Sequence, residues 1–303
     1  MRYYDICNLL KSVGIDNAEH EASLLLERFC GLSPAELLIS KDKVFDCAEL
    51  YAAIQKRASH YPLQYILGEC YFYDEKYRVN ENCLIPRSDT EILVELAIER
   101  LPKDSLFADM CTGSGCIAVS VLAHRQDCTG VALELYEDTL KLAEENAKLN
   151  KVSERFLPIC CDVLKNDPIL IDNNTPQFDA ILSNPPYIRS SVIESLETEV
   201  QHEPRAALDG GEDGLIFYRS ILSQHASLLK EDGFIAFEIG YDQGEQICTL
   251  ANEFSFSCEI IRDFGGNDRV AFLKKNIKIY NKVIILEVIY EYCCFGGRYQ
   301  SRT

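Results

Sequence analysis

The 303-residue chain is 47% hydrophobic and 26% charged, the balance of a folded globular protein rather than a disordered or fibrous one. That length accommodates a catalytic domain of about 200 residues with a smaller companion. The formal net charge of −18 argues against a protein that holds nucleic acid chiefly through its phosphates, although a local basic strip is compatible with an acidic total.

Residues 1 to 60 read as a helical bundle, with apolar side chains at three-to-four spacing in Ile6, Leu9, Leu10 and Val13 and again in Ala22, Leu25, Leu26 and Phe29. No signal-peptide run opens the chain and nowhere do about 18 apolar residues follow one another, so a cytoplasmic protein is expected. Asp16 with Glu19 marks the start of the second helix, and Ser33-Pro34-Ala35-Glu36 supplies an N-cap, a first-turn proline and a capping-box glutamate. Without clustered catalytic groups, such a bundle suits packing or substrate docking.

Residues 61–82 turn aromatic and strand-like, are broken by Pro62, Gly68 and Asp74, and are expected to form a hairpin linker. Ser88-Asp89-Thr90-Glu91 repeats the capping-box pattern and opens a helix through about Arg100. From Leu106 short apolar runs alternate with amphipathic helices, the pattern of a doubly wound α/β domain with a parallel sheet covered on both faces. The expected strands are Leu106–Met110, Gly130–Leu135, Phe156–Cys161, Phe178–Ser183, Phe234–Ile239, Phe256–Ile261 and Val270–Leu273; the expected helices are Cys116–Arg125, Glu137–Leu149, Gly214–Leu229 and Gln243–Glu253. The fourteen cysteines lack any C-x-x-C spacing and sit at core-like positions such as Cys7, Cys30, Cys128 and Cys248, so reduced thiols and no metal site are expected.

The first strand runs into Cys111-Thr112-Gly113-Ser114-Gly115 and then a helix. The two glycines let the backbone turn sharply and approach a ligand, but the G-x-G-x-x-G spacing of a dinucleotide site is absent. Glu134 ends the second strand, where an acidic side chain meets the hydroxyls of a ribose, and Asp162, followed by Val163, stands at the end of the third. Ser183-Asn184-Pro185-Pro186-Tyr187-Ile188 follows the fourth strand. Two prolines remove backbone donors there, so the Asn184 side chain and the carbonyls of Asn184 and Pro185 offer acceptors for a planar NH₂ group that Tyr187 stacks upon.

Asn-Pro-Pro-Tyr after strand four resembles the signature of class I, Rossmann-like methyltransferases acting on planar amino or amide nitrogens. Within that group the chain resembles the release factor glutamine-N5 methyltransferases, the PrmC/HemK family. The resemblance runs over residues 1–275 and is carried also by Pro62-Leu63-Gln64-Tyr65-Ile66-Leu67-Gly68, Leu84-Ile85-Pro86-Arg87-Ser88-Asp89-Thr90-Glu91, Glu203-Pro204-Arg205-Ala206-Ala207-Leu208, Gly211-Glu212-Asp213-Gly214-Leu215, Tyr218-Arg219 and Glu238-Ile239-Gly240-Tyr241-Asp242-Gln243-Gly244. It implies a methyltransferase domain over 83–275, S-adenosyl-L-methionine as cofactor and, as substrate, the glutamine of the Gly-Gly-Gln motif in peptide chain release factors. On this reading Cys111, Thr112, Gly113, Ser114, Gly115, Glu134, Asp162, Val163 and Asn184 bind the cofactor. Asn184, Pro185 and Tyr187 act in catalysis and, with Pro186, hold the substrate.

Three features depart from the family pattern: Cys111 stands where glycine is usual, Glu134 where aspartate is more common, and 276–303 extends past the usual end as an accessory segment containing the β-forming run Val283 to Tyr290. An adenine- or guanine-directed N-methyltransferase is the enzymatic rival, set back by the acidic charge and by the absence of an evident target-recognition domain. A non-catalytic cofactor- or translation-factor-binding module is the other, set back by the intact Asn-Pro-Pro-Tyr.

Overall fold

The computed structural model describes residues 1–276. The expectation for the accessory segment and its β-forming run therefore lies outside the described residues, apart from Asn276.

Four helices, α1 (Tyr3–Ser12), α2 (Ala18–Cys30), α3 (Pro34–Ser40) and α4 (Ala48–Ala58), pack around Ile6, Leu10, Leu25, Leu26, Leu50 and Ile54. These are the three-to-four positions of the sequence, folded inward so that each helix hides one apolar stripe. Ser33 and Glu36 form the expected capping box of α3, with Glu36 N donating to Ser33 Oγ at 3.3 Å and Ser33 N to Glu36 Oε2 at 2.9 Å. By contrast α2 begins one residue after Asn17 without a side-chain cap, and Asp16 lies ahead of it.

The linker is not a hairpin throughout. Residues Leu63–Leu67 form α5, and only β1 (Glu69–Phe72) and β2 (Glu75–Arg78) pair antiparallel. At 88–91 the expected capping box does not form. Ser88–Thr90 is a 3-10 turn leading into α6 (Glu91–Arg100), the Glu91 carboxylate accepts from Tyr73 N at 2.9 Å, and the Thr90 hydroxyl is drawn to Glu238.

Strands β3 (Leu106–Met110), β4 (Thr129–Glu134), β5 (Phe156–Cys160), β6 (Phe178–Ser183), β7 (Leu229–Glu238), β8 (Phe256–Arg262) and β9 (Asp268–Lys275) form one sheet in the order β5-β4-β3-β6-β7-β9-β8. All neighbours are parallel except at β9, which runs against both β7 and β8. The expectation of an all-parallel sheet fails there because only five residues separate β8 from β9, enough for a hairpin and too few for a crossover. The period-two alternation divides each strand between two cores: Phe107, Ala132 and Leu182 face α6 and α7 (Cys116–His124) with α8 (Glu137–Leu149). Ala108, Val131 and Ile181 face the other side, where α9 (Ile216–Ser220) and α10 (Gly244–Glu253) lie.

The single helix expected over Gly214–Leu229 is broken into α9, a π turn at Ile221–His225 and a 3-10 turn at Ala226–Leu228. Its polar side chains serve the loop after β5: Ser220 and His225 both bond the Val163 carbonyl, at 2.6 and 3.1 Å, and Gln224 donates to that of Leu164 at 3.1 Å. A widened turn of this kind lets neighbouring side chains point the same way. One thiol pair also departs from the reduced reading: Cys248 on α10 and Cys258 on β8 are joined in a disulfide, and Cys30 and Cys248 are half-buried rather than core. No helix among the described residues is long and apolar enough to cross a membrane.

Candidate active site

The chain runs outward from β3 through β4 to β5 and then returns to place β6 on the other side of β3. Crevices at the carboxyl ends of strands where the order reverses are where such sheets bind ligands. A cavity of about 290 Å³ lies there, and its wall includes Cys111, Thr112, Gly113, Ser114 and Glu134. Farther along, the same wall holds Asp162, Val163, Asn184 and Pro186. Gly115, Pro185 and Tyr187, also expected at the site, do not line it.

The loop after β3 is held from beneath. Asp109 is fully buried and accepts from the Thr112 hydroxyl at 2.6 Å and from Ala118 N at 3.1 Å, while burial pushes its carboxyl up to about 7. Thr112 N donates to Leu133 O at 3.0 Å, which ties the loop to β4. Gly115 turns the chain into α7 at φ 81°, where a Cβ would lie 3.1 Å from that of Ala143. Cys111 sits at φ 63°, a conformation in which glycine is at ease and a side chain costs on the order of 1 kcal/mol. This gives the Cys111 departure a physical content: the turn is the same, with added strain.

Glu134 projects from the end of β4 into a set of backbone donors. Gly113 N lies 3.1 Å from Oε2, and Leu135 N and Tyr136 N lie 2.9 and 3.2 Å from Oε1. Burial nonetheless holds its carboxyl above the usual range, outweighing those three hydrogen bonds. A carboxylate offers about four lone-pair positions, so the pinned group retains acceptor capacity toward the cavity. Asp162 accepts from Leu164 N at 3.0 Å and pairs with Lys165 at 3.2 Å.

After β6, Ser183 donates to Met110 O at 2.5 Å and so joins the two strand ends. Pro185 and Pro186 are buried. The loop beyond Glu203 folds back against this turn: Ile188 N donates to Leu208 O and Gly210 N to Ile188 O. Gly214 is at φ 77°, and a Cβ there would meet the Tyr187 carbonyl at 2.5 Å. That carbonyl accepts from Gln243 Nε2 at 3.1 Å, and Gln243 also reaches Gly214 O at 3.3 Å. The Tyr187 ring packs against the core beside α9, and its hydroxyl donates to Glu238 Oε1 at 3.3 Å.

Several residues of the site are absent from the sequence reading of roles. Glu238, buried at the end of β7, accepts from Thr90 and Tyr187, and burial pushes its carboxyl up to about 7. Thr90 in turn receives a hydrogen bond from Asn184 Nδ2 at 3.2 Å. Glu203, also buried, accepts from Ile85 N at 3.0 Å and pairs with Arg87, which closes the cavity wall on the linker side. All four belong to segments that carry the resemblance, and that membership was their only signal. None of the five histidines lines the cavity.

The family model described as PrmC N-terminal domain matches residues 5–68, and that described as methyltransferase small domain matches residues 88–234. A release factor glutamine methyltransferase of Caulobacter vibrioides is 34% identical over 274 residues, 88% of this chain and 93% of that relative. One of Thermodesulfovibrio yellowstonii is 38% identical over 229 residues, 74% of this chain and 80% of that relative. Among solved structures, the release factor-specific protein-(glutamine-N5) methyltransferase of Alicyclobacillus acidocaldarius is 28% identical, with 66% of this chain and 99% of that one covered and a TM-score of 0.39.

Proposed function

The chain belongs to the release factor glutamine methyltransferase family, and on that premise we propose that it transfers the methyl group of S-adenosyl-L-methionine to the N5 amide nitrogen of the Gly-Gly-Gln glutamine in peptide chain release factors. One observation carries the reading. Asn184 and Pro186 of the Asn-Pro-Pro-Tyr turn line the same cavity as the glycine loop and Glu134, so an amide acceptor and the expected cofactor residues share one site.

The residues present suit the cofactor. Glu134 has acceptor capacity for the ribose hydroxyls, Asp162 and Val163 line the wall that would take the base, and Cys111 to Ser114 bring backbone to the cavity edge. When bound, S-adenosyl-L-methionine supplies an electrophilic methyl group.

An amide nitrogen is a weak nucleophile because its lone pair is delocalised into the carbonyl. On this reading Asn184 Oδ1 and the Asn184 carbonyl accept its N–H groups, raise electron density on nitrogen and fix its approach; the Pro185 carbonyl, expected to join them, belongs to a residue that does not line the cavity. Orientation of this kind supplies much of the acceleration. Water, or an acceptor already in place, takes the proton of the methylated amide, so no histidine base is assigned. Tyr187 enters by buttressing the turn, its hydroxyl being held by Glu238. We place protein docking on the N-terminal helical unit, where Leu38 and Ile39 of α3 and Val44 of the loop after it are exposed, and we place the enzyme in the cytoplasm.

The test is incubation of the full chain with methyl-labelled S-adenosylmethionine and, separately, a release factor or RNA, with the methylated residue mapped by mass spectrometry. Label on the Gly-Gly-Gln glutamine supports the reading; label on RNA alone overturns it. Asn184→Ala should leave cofactor binding largely intact and turn over orders of magnitude more slowly, since it removes an acceptor realised when the amide is aligned.

A further inference from the structure

The orientation of the Asn184 amide is decided by hydrogen-bond direction. Ionised, Glu238 has no proton to give and only accepts. Thr90 Oγ1 lies 2.5 Å from Glu238 Oε2, so the Thr90 proton is committed to that carboxylate. What Thr90 then offers Asn184, at 3.2 Å, is a lone pair. Only the Nδ2 end of the Asn184 amide can answer it, and Oδ1 is left for the cavity. Reversed, Asn184 would present a donor to a substrate NH₂ group and repel it.

We propose that Thr90 and Glu238 are positioning residues of the methyl transfer, a directed relay from the end of β7 through the start of α6 that holds the Asn184 oxygen toward the substrate amide. The inference rests on the acceptor role of Asn184 given above. Two further contacts favour it over a purely structural tie between α6 and β7. The other Glu238 oxygen takes the Tyr187 hydroxyl at 3.3 Å, so one carboxylate supports both ends of the Asn-Pro-Pro-Tyr turn. Thr90 also lines the cavity beside Asn184. A buried carboxylate that holds one side chain of that turn directly and another through Thr90 is a costly way to join a helix to a strand, since two apolar side chains would join them as well.

The test uses the full chain at about pH 8, above the value of about 7 to which burial pushes the Glu238 carboxyl, with S-adenosylmethionine and a release factor. Thr90→Val keeps the shape of the side chain and removes the relay; Thr90→Ser keeps the relay. The valine variant should lose kcat by about 10²-fold, as small misplacements of reacting groups do, with cofactor affinity unchanged, and the serine variant should recover most of the loss. Wild-type kcat in Thr90→Val, with Asn184→Ala inactive, overturns the relay and leaves the role of Asn184 standing. Wild-type kcat in Asn184→Ala overturns that role itself. A valine variant in which kcat and cofactor affinity fall together, with no rescue by serine, shows a structural tie and overturns the proposal. Should Thr90→Val not fold, Glu238→Asp keeps the charge and withdraws it from Thr90; full kcat there is equally fatal to the relay.

Discussion

Arg57, on the last turn of α4, places Nη2 2.7 Å from Glu199 Oε1 in the segment that leads to the cavity wall, while its Nε lies 2.5 Å from Glu21 on α2. One guanidinium thus joins the helical unit to the loop that carries Glu203. The Arg57 side chain is only 4% exposed and that of Glu21 12%, whereas Glu199 is 39% exposed. Arg57→Ala strands the Glu21 carboxylate without its partner, and breaking such a pair costs about 3–5 kcal/mol. Glu199→Gln touches the solvated end and should cost about 1 kcal/mol or less. Urea unfolding of both variants checks the ranking; equal losses would mean that Glu21 finds another partner.

Glu134→Ala should weaken cofactor binding by about 1.5–3 kcal/mol, the range for hydrogen bonds to a charged group. The geometry adds a condition, because the same carboxylate holds the amides of Gly113, Leu135 and Tyr136. Glu134→Asp should recover most of the affinity, whereas Glu134→Gln can satisfy only part of that donor set. Calorimetry with S-adenosylhomocysteine measures each. Unchanged affinity in the alanine variant would remove Glu134 from the cofactor site.

Gly214→Ala is expected to damage the substrate turn rather than the cofactor site. The residue is at φ 77° and a Cβ would lie 2.5 Å from the Tyr187 carbonyl and 2.8 Å from Gln243 Nε2. Left-handed strain of about 1–2 kcal/mol adds to the displacement of a backbone group that cannot rotate away. Stability should fall by at least about 2 kcal/mol in denaturant unfolding, with kcat reduced more than cofactor affinity. A variant as stable and active as wild type would mean that the 210–214 loop moves freely from the Asn-Pro-Pro-Tyr turn.

What was legible in the sequence was local. The ends of β3 and β6 matched to the residue, and the glycine loop, Glu134 and Asn184 fell into one cavity because each sits at a strand end in a fold whose strand ends converge. Contacts made at long range were not legible. Thr90 meets Glu238 across 148 residues, Asn184 meets Thr90 across 94 and Arg87 meets Glu203 across 116, and no periodicity encodes such pairs. The capping box at 88–91 misled for the same reason: Glu91 and Thr90 had better partners in Tyr73 and Glu238. The break of the helix after Ser220 likewise depends on carbonyls of Val163 and Leu164 that only the folded chain brings near.

Asp109 ties the stability of the glycine loop to pH. Its folded-state carboxyl titrates at about 7, against 3.8 for a free aspartate, because it is buried and only partly relieved by Thr112 and Ala118; its Oδ1 has no partner among the described residues. A raised pKa means that the native state holds the proton more tightly than the unfolded chain. The group therefore costs nothing below the free value, becomes increasingly destabilising as pH rises from there toward about 7, and its cost is constant above that. Asp109→Asn imitates the protonated acid and removes the titration. Measured by denaturant unfolding at about pH 5 and about pH 8, the stability of the variant relative to wild type should shift in its own favour by about 1–3 kcal/mol. The slope is the informative part, because a carboxylate stabilised by its neighbours would be ionised in both the folded and the unfolded chain across this window and would leave the difference independent of pH, which overturns the raised value.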